Sequence, residues 1–145
     1  MMRALVVAGA LVLGISVVAA QTQDPIAARK ALMKDTGKQA GGGAAMVRGE
    51  APFDLAKAKA IFVAVQKQAA EAPALFPDNS KTGGETAALP AIWEKKADFD
   101  ARFVKLGEDA KAAQASVTDL ETFKVAFAGV GKNCGGCHEL YRLKK

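Results

Sequence analysis

The chain has 145 residues, half of them hydrophobic, with 20 basic against 15 acidic side chains and a formal net charge of +5. That length carries one domain with its own core and is too short for two ordinary ones. The lysines are scattered among acids and form no basic block, which argues against nucleic acid as a partner, whereas a mildly basic surface suits acidic ones.

The chain opens with Arg3, an apolar run over residues 4–20, and small residues at its end, Val18, Ala19 and Ala20. A charged start, an apolar stretch and small residues before the cut are what a signal peptidase reads, so residues 1–20 are expected to be a signal peptide cleaved before Gln21. The same run is marginal for a spanning helix and contains Gly9, Gly14 and Ser16; an uncleaved anchor is the competing reading. Cleavage leaves residues 21–145 as an exported protein with no membrane span, and removes only one charge, Arg3, for a net +4.

Four segments then show helical periodicity. Asp24-Pro25 combines a capping acid with proline at the first helical position, and Ile26, Arg29 and Met33 share a face. This helix is expected to run towards Val47 across Gly41-Gly42-Gly43, where each glycine costs about 0.5–1 kcal/mol relative to alanine. The glycines either break the helix in two or admit close approach by a neighbouring helix or subunit. Asp54 opens a second helix with Leu55, Ala58, Phe62, Val65 and Ala69 on one stripe, and Pro73 ends it. Residues 73–90, with prolines, Gly83 and Gly84, read as a long surface connection. A third helix begins near Ile92 and keeps an apolar seam of Ile92, Phe99, Phe103, Leu106, Ala110 and Ala113. A fourth starts at Thr118, with Glu121 completing a capping box. The expected fold is all-α, an antiparallel four-helix bundle able to enclose a cofactor between facing helices.

The fourth helix carries Phe123, Phe127 and Val130 on one face, which continues through Cys134, Cys137, His138 and Tyr141. C-x-x-C-H is the pattern of covalent haem attachment, with two thiols adding to haem vinyl groups and the histidine taking an axial position on iron. Residues three and four apart on a helix lie on one face, so all three side chains can meet one flat ligand. These are the only cysteines and the only histidine in the chain. Zinc would lack a fourth cysteine or histidine donor, a thioredoxin-like pair would lack its strand-and-helix context, and a plain disulfide would leave His138 unexplained. The cofactor expected is one haem c per chain.

The motif near the C-terminus, residues 29–34 (RKALMK), 49–54 (GEAPFD), Phe76-Pro77, 86–93 (TAALPAIW), Asp98-Phe99 and 134–142, taken in order, make the chain resemble the class II c-type cytochromes, the cytochrome c′ family. The resemblance covers nearly all of residues 21–145 and implies a periplasmic haem protein, with Cys134 and Cys137 as thioether positions and His138 as proximal ligand. It also implies haem surroundings that include Arg29, near the propionates; Lys30, where the family usually has Gln; Glu85 and Thr86, in a loop passing the haem edge; and Arg142, beside the proximal face. For Arg142 the other reading is a cation at a helix C-terminus. Trp93 reads as a core filler.

Met33 falls where the family places the side chain facing the open side of the iron. Typical members have a non-binding apolar residue there and a five-coordinate, high-spin iron; certain relatives use a methionine as sixth ligand. Residues 29–31 and 80–93 look more like the first kind, residues 32–37 like the second, and a methionine filling a core gap is also ordinary. The resemblance thus implies either electron transfer with an unidentified redox partner protein or binding of small gases, NO or CO, by a protein that is not an enzyme. With no second histidine as a distal acid-base group, peroxide cleavage is disfavoured. A homodimer through Gly41, Gly42, Gly43, Ala44 and Ala45 is a further expectation.

Overall fold

Asp24 accepts a hydrogen bond from the Ile26 N–H at 2.9 Å on its side chain and starts α1 (Pro25–Arg48), satisfying one of the amides that a helix start leaves unpaired. The computed structural model describes residues 24–144; the signal peptide expected over residues 1–20 and the cut expected before Gln21 lie outside the described residues. α1 runs through the three glycines without a break and ends where Gly49, at φ 74°, turns its N–H back onto the carbonyls of Ala45 and Met46. That left-handed conformation favours glycine.

Asp54 caps α2 (Leu55–Glu71) by accepting from the Lys57 N–H at 3.0 Å. Its stripe of Ala58, Phe62, Val65 and Ala69 is buried, whereas Leu55, in the first turn, stays 38% exposed. The third helix is split. A single turn, α3 (Ala91–Glu94), stops at Lys95, whose backbone leaves the helical region (φ −122°, ψ 43°), and α4 (Lys96–Ser116) follows. The whole seam from Ile92 to Ala113 is buried. The last helix, α5 (Leu120–Tyr141), begins one residue later than its sequence signal: Asp119 is the cap and Thr122 its reciprocal partner, not Thr118 and Glu121. Asp119 presents a carboxylate to the Thr122 N–H at 2.8 Å, and the Thr122 hydroxyl accepts from the Asp119 N–H at 3.0 Å.

The four long helices form an antiparallel bundle, with α4 packed between α2 and α5. Its interior holds two aromatic groups. Phe123 lies against Phe53, Phe62 and Phe127 at centroid distances of 5.3–5.9 Å, and Phe99 lies edge-on to Phe76, Phe103 and Tyr141 at 4.8–5.2 Å. Such offset and edge contacts add about 0.5–1.5 kcal/mol per pair beyond simple burial.

The long connection is ordered by three attachments. The buried Arg29 guanidinium donates to Ser80 Oγ (2.8 Å), Ser80 O (2.9 Å), Leu75 O (3.2 Å) and Thr86 Oγ1 (2.6 Å), and lies 4.8 Å from the Phe76 ring centroid. The Trp93 indole N–H donates to the Phe76 carbonyl at 3.1 Å. Beyond Tyr141 the chain pairs with the loop, Ala88 opposite Arg142, with Leu89 N–H donating to Tyr141 O (3.0 Å) and Leu143 N–H to Ala87 O (2.8 Å).

Candidate haem site

On α5 the buried Val130 and the buried Tyr141 bracket ten residues that are nowhere fully enclosed; within them Cys134, Cys137 and His138 are half-buried on one face. Cys134 and Cys137 are not joined in a disulfide. Burial, above all, pushes the pKa values of their side chains up. Burial and then the Arg142 cation hold His138 below the usual imidazole value, so it is neutral and keeps a lone pair to offer.

α1 shows a matching interval. Between Arg29 and Gly43, both buried, no residue is fully enclosed, although Leu32, Met33 and Thr36 are half-buried on the same side. A helix packed along its whole length would bury a residue every three or four positions. Below this interval α1 and α5 touch directly: a Cβ on Gly43 would come within 2.5 Å of Phe127 Cε2 and 3.1 Å of Ile61 Cδ1. The glycine run therefore serves close approach inside one chain at Gly43, while Gly41 and Gly42 are exposed and face nothing within 4 Å.

Arg29, Lys30, Glu85 and Thr86 come together where α1 meets the loop. Lys30 Nζ donates to Gly84 O at 3.2 Å and lies 3.9 Å from Glu85 Oε2; Glu85 sits at φ 53° and is exposed. The Arg29 guanidinium is committed to the loop, and burial pulls its pKa down while leaving it charged. Arg142 is exposed one turn after His138, joined to it by the Arg142 N–H to His138 O bond of 3.2 Å.

Met33 has a partner that the sequence reading did not name. Gln68 Nε2, on α2, donates to Met33 Sδ at 3.3 Å, and Gln68 is only 5% exposed. The signal was present: Gln68 falls three residues after Val65 on an otherwise apolar stripe.

The Cytochrome C′ family matches over residues 24–142. The chain belongs to the cytochrome c′ family. It is 46% identical over 144 residues to the cytochrome c′ of Rhodopseudomonas palustris, covering 99% of this chain and 98% of that one. A solved structure of Rhodopseudomonas palustris cytochrome c′ matches at TM-score 0.82 and 48% identity, covering 84% and 98%. A cytochrome c-556 of Agrobacterium fabrum is 44% identical over 118 residues, covering 81% and 80%. A nitric oxide complex of a mutant cytochrome c′ from Alcaligenes xylosoxidans matches at TM-score 0.74 and 28% identity, covering 86% and 98%. Members of the cytochrome c′ family are c-type haem proteins of electron transfer or gas binding, not enzymes. Haem c suits this donor set: two cysteines outside any disulfide and a histidine share one half-buried helix face, and half-buried Leu32 and Met33 give the incompletely packed interval of α1 an apolar side.

Proposed function

We propose that the chain is a periplasmic cytochrome c′ that holds one haem c through Cys134 and Cys137 as thioethers and His138 as axial ligand, and that its iron stays five-coordinate and open to NO or CO on the Met33 side. The observation that carries this is the placement of Cys134, Cys137 and His138 together on one half-buried face of α5. Bound haem supplies an iron that exchanges single electrons and takes small diatomic ligands. The chain does the rest. α5 fixes the two attachment points and the imidazole on one rigid element, Arg29 and the end of α5 pin the loop carrying Thr86, and Leu32 and Met33 give the opposite side an apolar lining. The nitric oxide complex of the Alcaligenes relative supports gas binding, and the signal-like residues 1–20 support export with cleavage before Gln21.

A second reading, Met33 as sixth ligand of a low-spin electron carrier, is favoured by the 44% identity to a cytochrome c-556. Absorption spectra of the oxidised and reduced protein decide between them: broad high-spin bands and prompt CO binding support the first reading, and sharp low-spin bands that Met33→Leu converts to high-spin establish the second. Covalent attachment is tested by acid-acetone extraction of the denatured protein; colour left on the chain supports the thioethers, and loss of all haem overturns them.

A further inference from the structure

We propose that Gln68 is a positioning residue that competes with iron for the Met33 sulfur and so sets the coordination number of the haem; this rests on the reading of His138 as the permanent axial ligand. Gln68 lies on the α2 stripe with Phe62, Val65 and Ala69 and is buried among these apolar residues. A primary amide buried there needs a hydrogen-bond partner, because an unpaired one loses its water for nothing. The partner on its nitrogen side is Met33 Sδ, at 3.3 Å. The orientation follows from chemistry, since a thioether only accepts and the amide must therefore turn its NH2 towards it.

The lone pairs that accept this bond are the ones a metal would use. With Gln68 in place, the sulfur is drawn towards α2 and has less electron density to give. Gln68 also borders an open groove of about 100 Å³ between α1 and α2, with Leu32, Thr36 and Gln39 on one side and Ala64 and Lys67 on the other. The amide thus has room to turn away from Met33, so its hold on the sulfur is reversible. A hydrogen bond of this kind has a modest net effect, so the balance between free and iron-bound Met33 moves by roughly three- to tenfold when it is removed.

The test uses the haem-loaded protein, its absorption spectrum and the rate of CO binding to the ferrous form, for the wild type, Gln68→Leu, Met33→Leu and the double variant. Gln68→Leu is expected to raise the ratio of low-spin to high-spin iron roughly three- to tenfold and to slow CO binding in proportion to the fraction of iron that Met33 then occupies, and the double variant is expected to return to the wild-type rate. A high-spin wild type with a silent Gln68→Leu overturns this inference and leaves the five-coordinate reading intact. A double variant as slow as Gln68→Leu also overturns it, because the effect then does not pass through Met33. A low-spin wild type that Met33→Leu converts to high-spin overturns both. If the Gln68 variants fail to load haem, magnetisation transfer between the Gln68 side-chain NH2 and the Met33 methyl in the diamagnetic ferrous CO complex of the wild type is the deciding measurement; its presence supports the contact, and its absence overturns it.

Discussion

Gly43 on α1 lies so close to Phe127 on α5 that a Cβ at position 43 would come within 2.5 Å of the ring. In Gly43→Ala, overpacking of about 1–3 kcal/mol outweighs a gain in helix propensity of about 1 kcal/mol, for a net loss of about 1 kcal/mol. Gly41→Ala and Gly42→Ala meet nothing within 4 Å and should each gain about 0.5–1 kcal/mol. Thermal unfolding of the three haem-loaded variants should place Gly43→Ala below the wild type and the other two above it.

The exposed Gly42 also tests association between chains. Sedimentation of the haem-loaded protein at micromolar concentration is expected to give twice the chain mass. Gly42→Leu should lower that mass without moving the haem spectrum, and a wild type at one chain mass removes the idea.

Arg29→Lys keeps the charge and loses the fork that reaches Leu75, Ser80 and Thr86 together. A loss of about 2–3 kcal/mol is expected, from hydrogen bonds to a charged group left unmade. Hydrogen exchange should quicken first at the Ser80 and Thr86 amides, which donate to Pro77 O and Gly83 O, while the α4 seam keeps its protection.

Stability should bend with pH through Asp98 and Tyr141. The Tyr141 hydroxyl and then the Arg102 guanidinium hold the Asp98 carboxyl below the usual carboxylate value. Its contribution is complete above the unfolded value of about 3.9 and is lost as pH falls through the lower folded one. Burial and then Asp98 push Tyr141 up, so its contribution is complete below about 10 and is lost as pH rises through the folded value. Asp98→Asn should flatten the acid limb of a melting-temperature profile, and Tyr141→Phe the alkaline limb together with part of the acid one. Unchanged limbs would show that the pair carries no stability.

Replacing both Cys134 and Cys137 by alanine should leave little haem attached. The bundle should also melt earlier, because a ligand that binds only the folded state no longer stabilises it. Mass spectrometry of the denatured protein reads the first effect and thermal unfolding the second.

Local signals were the legible ones. Asp24-Pro25 and Asp54 mark their helices because capping is decided within a few residues, and the seam from Ile92 to Ala113 is buried because its period matches one helix face. The cap of α5 moved by one residue because two overlapping boxes compete and Asp119 offers a carboxylate where Thr118 offers a hydroxyl. The break at Lys95 has no local breaker to announce it. C-x-x-C-H pointed to the expected donor set without any knowledge of the fold, since that chemistry is written in five residues. Arg29 against Ser80 and Gln68 against Met33 were hidden because they join residues 51 and 35 positions apart, and no periodicity encodes such a pairing.

The attachments of residues 86–89 have a kinetic meaning. Thr86 bonds Arg29 across 57 positions, Leu89 bonds the last residue of α5, Tyr141, and Ala87 bonds Leu143 just beyond it. Contacts so distant along the chain pay the entropy of closing a large loop before they return anything, so they form late. The segment closes like a clasp, fastened only after both ends of the bundle are in place.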